Sequence, residues 1–284
     1  HPDRQQAAAG ACGPIMQPEF VWTILGQEIH VHAYALFTVL GASAACLAAL
    51  PLLRRERLRR GEALGLLACL VPAFLVGARL FNYVVNTDAY GGSLRLFSLR
   101  LAGFSMYGGI LGVLAALLLW SVWKRREAWR LLDAMVLPGA AAFAFARVGC
   151  FYNGCCGGVA TASSLGLYFP LRDVDKSPIY NVLSMLGQST TPRIKVYPTQ
   201  LFELVLALVL VLPIVWFYLR GKLPSGGAFL LYAAAFSAMR LAVLPLRSLP
   251  YPDVVTAVVY PLLYGSLIVV CLAWFVRRRR NTRV

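Results

Sequence analysis

Residues 33–53 read AYALFTVLGASAACLAALPLL, and residues 54–60, immediately after them, read RRERLRR. The first run carries no charged side chain. Roughly 20 apolar residues at 1.5 Å each cross a hydrocarbon layer of about 30 Å, so this run reads as a transmembrane helix. The arginines that close it mark a cytoplasmic end, because basic residues collect on that side of a span.

The rest of the chain follows the same pattern. Hydrophobic residues make up 59% of the 284 and charged residues only 14%, outside the range of soluble domains. Further apolar runs lie at 63–86, 104–123, 132–152, 198–219, 226–246 and 254–276, seven in all with the first. Basic clusters follow the odd-numbered runs: Arg54 to Arg60, Lys124 to Arg130, Arg220 with Lys222, and Arg277 to Arg283. The sequence therefore predicts an all-α integral membrane protein of seven transmembrane helices, N-terminus out and C-terminus in.

The expected layout is an outer segment over 1–32, helices one to four over 33–152, and an outer arm or cap with little helix over 153–197. Helices five to seven follow over 198–276, then a basic cytoplasmic tail over 277–284. The net charge of +15 is carried mostly by short clusters beside the spans. Membrane topology accounts for it, and no nucleic-acid partner is implied. Residues 1–20 show no basic region followed by an apolar core, so no signal peptide is read there, and a start at His1 leaves room for an upstream piece.

Polar groups inside spans are costly and mark functional sites. Arg79 stands late in the second span with Asn82 and Asn86, Arg147 late in the fourth, Glu203 early in the fifth and Arg240 in the sixth. Under the predicted topology Arg79, Arg147 and Glu203 share the outer half of the bilayer. Arg147 and Glu203 read either as a pair that neutralises itself between helices, or as part of an anion site. The second reading rests on the surplus of arginines, since guanidinium grips phosphate with two parallel hydrogen bonds. Gly108, Gly109 and Gly112 in FSMYGGILGV read either as close backbone approach to such a ligand or as small-residue helix packing.

In order along the chain, HVHAYALF, VGARLF, FSMYGGILGV, ARVGCFYNGCCGG, YPTQLFELV and SAMRL resemble the prolipoprotein diacylglyceryl transferase family over nearly the whole chain. The resemblance implies a cavity open to lipid and a phospholipid donor, phosphatidylglycerol, whose diacylglyceryl group passes to a lipobox cysteine. Tyr34 matches the tyrosine of the family's first-span motif, and Arg79 its second-span arginine. Arg147 and Asn153 match the signature G-R-x-G-x-F-x-N-G, Glu203 the acid of H-P-[ST]-Q-L-Y-E, and Arg240 the late arginine that attends the phosphate.

Departures from the pattern concern the acceptor side. The family's histidine before the paired glycines is Tyr107 here, and the histidine opening the fifth-span motif is Tyr197. Cys150 and Cys155 stand where an asparagine and an acid are usual, and Leu244 where an acid is usual. Losing both histidines removes the side chains best suited to take a proton near neutral pH. Tyrosine is a poor base there, although it can donate to a phosphate or leaving group. Phosphate recognition is thus expected to be kept and acceptor activation rewritten.

Of the seven cysteines, Cys12, Cys46, Cys69 and Cys271 are isolated and read as small apolar residues. Cys150, Cys155 and Cys156 form a cluster facing an oxidising compartment. It reads as a disulfide from Cys150 to Cys155 or Cys156, or as a thiol activated by Arg147. Zinc is disfavoured, since no histidine is near and adjacent cysteines do not easily share a tetrahedral ion.

The expected function is transfer of a diacylglyceryl or related group from a glycerophospholipid to a protein thiol at the periplasmic half of a bacterial inner membrane. Tyr107, Arg147, Glu203, Cys150 and Cys155 are the candidate catalytic residues. Arg147, Arg240, Asn153, Tyr34, Gly108 and Gly109 are the candidates for the lipid phosphate, and Arg79, Tyr197 and Cys156 for structure or gating, Arg79 as a pair for Glu203. No cofactor or metal is implied. Two other classes remain: a lipid-binding or transport protein without catalysis, and a membrane thiol oxidoreductase, which would need a C-x-x-C spacing that this chain lacks.

Overall fold

The computed structural model describes residues 19–24, 27–85, 105–170, 193–249 and 253–281. Cys12, Asn86, Arg283 and the middle of the expected arm, 171–192, lie outside them. The helices are α1 (Ala33–Arg55), α2 (Arg60–Val85), α3 (Met106–Trp123), α4 (Ala128–Ala134), α5 (Val136–Tyr152), α6 (Thr199–Leu219), α7 (Gly227–Val243) and α8 (Tyr260–Asn281). Among the described residues four short strands, β1 (Glu19–Ile24), β2 (Gln27–His32), β3 (Leu167–Pro170) and β4 (Arg193–Val196), form two antiparallel pairs. Six helices among the described residues are long and apolar enough to cross a membrane, and seven if α4 and α5, bent by 40°, count as one span. The chain is an all-α membrane protein.

The fourth span was expected as one helix over 132–152, and the structure breaks it at Met135. Pro138 is the cause: it has no N–H to give, and its ring presses on the carbonyl four residues back, that of Ala134.

The chain divides into two compact units. The first comprises His1–Gly41, Ala142–Leu212 and Ala233–Leu272. Here β1 and β2 pair from Glu19 opposite His32 to Ile24 opposite Gln27. This hairpin, unforeseen in the 1–32 segment, has a visible source in the β-branched and aromatic run Phe20 to Ile24. The start of α1 crosses α5 closely, and a methyl group on Gly149 would stand 3.0 Å from Phe37 Cβ. Tyr152 stacks on Phe37 with ring centroids 5.3 Å apart. The described part of the arm carries β3 paired with β4, which pack with Phe151, Phe169 and Val196.

The second unit comprises Ala42–Ala141, Pro213–Tyr232 and Ala273–Val284. In it α2 and α3 pack through glycine. A methyl group on Gly77 would stand 2.9 Å from Gly112 Cα, and one on Gly108 would collide with Gly77 O and Phe81. Asp133, buried, accepts from Gly226 N (2.6 Å) and Phe229 N (2.8 Å), so it caps the start of α7 from another helix. Arg55 donates to Leu219 O at the end of α6 (2.6 Å) and Tyr218 to Glu56 (2.7 Å). Arg55 of the first juxtamembrane cluster therefore also closes the end of α6.

Candidate functional site: an arginine ring beside a thiol loop

Glu203 sits in the second turn of α6 with a side chain that is 0% exposed. Ionised burial is tolerable only with partners, and three guanidiniums supply them. Arg147 Nε from α5 stands 2.8 Å from Glu203 Oε2. Arg240 Nη1 from α7 and Arg247 Nη1 from the segment after it each stand 2.5 Å from Oε1. One carboxylate against three guanidiniums leaves two positive charges in surroundings nearly closed to water. Arg147 also lies over the Phe143 ring at 4.7 Å, and Arg240 Nε donates to the buried Tyr264 hydroxyl at 3.3 Å. Arg247 Nε has no hydrogen-bond partner among the described residues.

Arg247 is placed by backbone. Gly158 bridges Arg247 in antiparallel fashion, and Val159 N donates to Leu246 O at 2.9 Å. A methyl group on Gly158 would collide with Leu246 O, so only glycine lets the two segments meet.

The cysteines lie on the stop signal of α5. Cys155 N donates to Cys150 O (3.1 Å) and Gly154 N to Phe151 O (3.1 Å), while Gly154 takes the left-handed conformation with φ +70°. This is a Schellman motif, which brings the side chains five apart at a helix end against each other. In this chain those residues are Cys150 and Cys155. Cys156 is also left-handed, φ +63°, an uncommon state for a residue with a side chain, and it turns the third sulfur back. All three Sγ atoms lie within 4.8 Å of one another. The left-handed turn at Cys156 is what lets two adjacent cysteines lie against the same third sulfur.

The loop is docked on α6. Thr199 Oγ1 donates to Cys156 O (3.0 Å) and Gln200 Nε2 to Cys155 O (2.5 Å), both from fully buried residues. Hydrogen bonds from Cys150 and Cys155, then the charges of Arg147 and Arg247, hold the Cys156 thiol well below its ordinary range. For Cys155 a hydrogen bond with Cys150 pulls downward, but its bond to Cys156 and burial carry it up to about 11.

The model of the prolipoprotein diacylglyceryl transferase family matches residues 20–276. The chain belongs to this family. A phosphatidylglycerol–prolipoprotein diacylglyceryl transferase 2 of Clostridium perfringens is 32% identical over 150 residues, 52% of this chain and 52% of that protein. The enzyme of that name without the numeral from Nitratidesulfovibrio vulgaris is 31% identical over 175 residues, 60% and 57% of the two chains. Its counterpart from Xylella fastidiosa is 25% identical over 237 residues, 76% and 77%. The chain spans just over half the length of the first two relatives.

Of the residues expected at a family site, the first unit brings together Arg147, Glu203, Arg240, Cys150, Cys155 and Cys156. Tyr34, partly exposed, lies within electrostatic range of Arg147 and the three cysteines. Asn153, expected at a phosphate, makes a side-chain hydrogen bond to Cys155. Tyr197 pairs its backbone with Gly158 and Val159, and its ring leans on Phe202 at 6.4 Å.

Tyr107, Gly108, Gly109 and Arg79 belong to the second unit. Tyr107 opens α3, half-buried, and Arg79 is buried on α2. The Cα faces of Gly108 and Gly109 are filled by Gly77, Phe81 and Phe74, which accounts for both glycines by helix packing. Among the described residues Glu203 pairs with Arg147, Arg240 and Arg247, all in its own unit. Arg247, Tyr264, Thr199 and Gln200 were not singled out from sequence. Arg247 carried a signal, since under the predicted topology it is an arginine on the outer side, where the positive-inside rule supplies none.

Proposed function

We propose that the protein transfers a diacylglyceryl group from a glycerophospholipid, phosphatidylglycerol or a close analogue, to the cysteine thiol of an acceptor protein at the outer half of the bacterial cytoplasmic membrane. The observation that carries this reading is the ring of Arg147, Arg240 and Arg247 on Glu203, built from the family's own motif positions plus one more arginine. Its surplus charge suits a phosphodiester, and more so the departing phosphate, on which negative charge grows as the carbon–oxygen bond breaks. Glu203 keeps the three guanidiniums from dispersing and orients them before the lipid arrives. The relatives' names support both the phosphatidylglycerol donor and the prolipoprotein acceptor.

The test is purified protein in phosphatidylglycerol micelles with a lipobox peptide, followed by release of headgroup phosphate and by the mass of the peptide. Transfer adds the diacylglyceryl mass to the peptide cysteine, and Arg147→Ala abolishes it. Binding of the lipid without either product would identify a lipid-binding protein instead. Rescue of a bacterial strain depleted of its own diacylglyceryl transferase would extend the result to the natural acceptors.

A further inference from the structure

The proposed transfer needs the acceptor thiol as thiolate, and the two positions where the family resemblance calls for histidine hold Tyr107 and Tyr197. Three sulfurs stand in the same unit as the arginine ring. We propose that Cys150, Cys155 and Cys156 hold one zinc-class divalent ion, and that its open fourth position takes the acceptor thiol as thiolate. This inference rests on the transferase reading for its substrate.

The geometry fits such an ion. Bonds of about 2.3 Å in a tetrahedron set sulfurs roughly 3.8 Å apart, and the three Sγ atoms already lie within 4.8 Å. Their carrier is fixed before any ion binds: the Schellman turn sets Cys150 against Cys155, while Thr199 and Gln200 hold the Cys156 and Cys155 carbonyls. Burial is graded, with Cys150 buried, Cys155 intermediate and Cys156 exposed. The cage thus runs from a buried residue to one at the surface, and three protein ligands with one open position is the arrangement of catalytic zinc. Three thiolates on a divalent ion leave one negative charge, and Arg147 and Arg247 act electrostatically on this loop. The Asn153 side chain, hydrogen-bonded to Cys155, steadies one ligand as an outer-shell partner would.

The chemistry balances without a redox partner. On coordination the acceptor thiol gives its proton to water, because a thiol bound to the ion is deprotonated outright. The thiolate sulfur then attacks the glycerol carbon bearing the phosphate. A sulfur–carbon bond forms, the carbon–oxygen bond breaks, and the electron pair leaves on the phosphate oxygen toward the arginines. The thioether product is neutral and a weaker ligand than the thiolate, so it departs and the position reopens.

The experiment is titration of the full-length protein, reduced and metal-free in detergent, with Co(II) as the spectroscopic stand-in for zinc. We expect one equivalent to give a thiolate-to-metal charge-transfer band and the visible bands of a tetrahedral site. Cys150→Ser, Cys155→Ser and Cys156→Ser should each weaken binding at least tenfold, while Cys46→Ser with Cys69→Ser and Cys271→Ser leaves it unchanged. A lipobox peptide should shift the visible bands, and the same peptide with serine for cysteine should not. The inference is overturned by absence of a stoichiometric band, by its survival in Cys156→Ser, by an unshifted spectrum with the peptide, or by a disulfide among the three cysteines in protein isolated without reductant. Headgroup release is measured alongside. Release that persists in metal-free protein sinks the metal site and keeps the transferase; a peptide-dependent shift without release keeps the site and sinks the transferase.

Discussion

Arg247 reaches Glu203 at 2.5 Å from beyond the end of α7, 44 residues along the chain. It turns a pair of intramembrane arginines into a ring of three, and it does so from a segment whose backbone pairs with Gly158 and Val159. Arg247→Ala should therefore leave the fold in place. Its expected effect is a tenfold or greater loss of phosphatidylglycerol affinity and of transfer, with Arg247→Lys recovering part of the affinity. Lipid binding at two salt concentrations checks this, since loss of a charge contact also flattens the salt dependence.

Glu203→Gln removes the one negative charge among three buried guanidiniums. Breaking a buried ion pair from one side costs about 3–5 kcal/mol, and here two further arginines are left repelling one another. The variant should unfold at a clearly lower temperature in detergent and show no transfer. Glu203→Asp, which keeps the charge, should recover most of the stability. Equal midpoints for wild type and Glu203→Gln would contradict the ring.

Gln200→Ala deletes the donor on the Cys155 carbonyl while sparing every sulfur. A lost hydrogen bond that strands a buried acceptor costs about 1–3 kcal/mol. The expected readout is faster labelling of Cys155 by a soluble maleimide than in wild type. Unchanged labelling would show that the turn alone holds the loop.

Gly108→Ala places a methyl group where Gly77 O and Phe81 already stand, whereas Gly139 has nothing within 4 Å of the same position. Overpacking of this kind costs about 1–3 kcal/mol. Thermal unfolding should separate the two variants, with Gly108→Ala destabilised and Gly139→Ala close to wild type.

Asp133→Ala strips the start of α7 of its cap from another helix. A lost cap costs about 1 kcal/mol, up to 2 where the site is buried. Hydrogen exchange of the Gly226 and Phe229 amides should rise by roughly tenfold, the equivalent of 1.4 kcal/mol, without change at the amides of α2.

The spans and the arginines inside them were legible because a charge in an apolar run has no ordinary explanation. Arg247 lies just outside such a run, so no apolar surroundings mark it in the sequence. The cysteine cluster was visible as a cluster, but its convergence depended on two left-handed residues, of which only Gly154 announces itself; no residue preference points to φ +63° at Cys156. Thr199 and Gln200 carry their roles through backbone carbonyls on a loop more than 40 residues away, and a carbonyl leaves no mark in a sequence. The break at Met135 was readable from Pro138 and was hidden by the apolar run around it. The β1–β2 hairpin was obscured for the opposite reason, since its alternation is too short to register against long spans.

The two halves of the proposed chemistry are separated in assembly as well as in role. Cys150, Cys155 and Cys156 lie in one short turn, and closing that turn costs little chain entropy. The arginine ring closes over 37 residues from Glu203 to Arg240 and 44 to Arg247, and needs helices that leave the ribosome last. A nascent chain is thus expected to assemble its thiol turn well before it has anything to hold a phosphate. Alkylation of stalled chains ending near residue 215 and near residue 260 would reveal that order, with Cys150 shielded already in the shorter one.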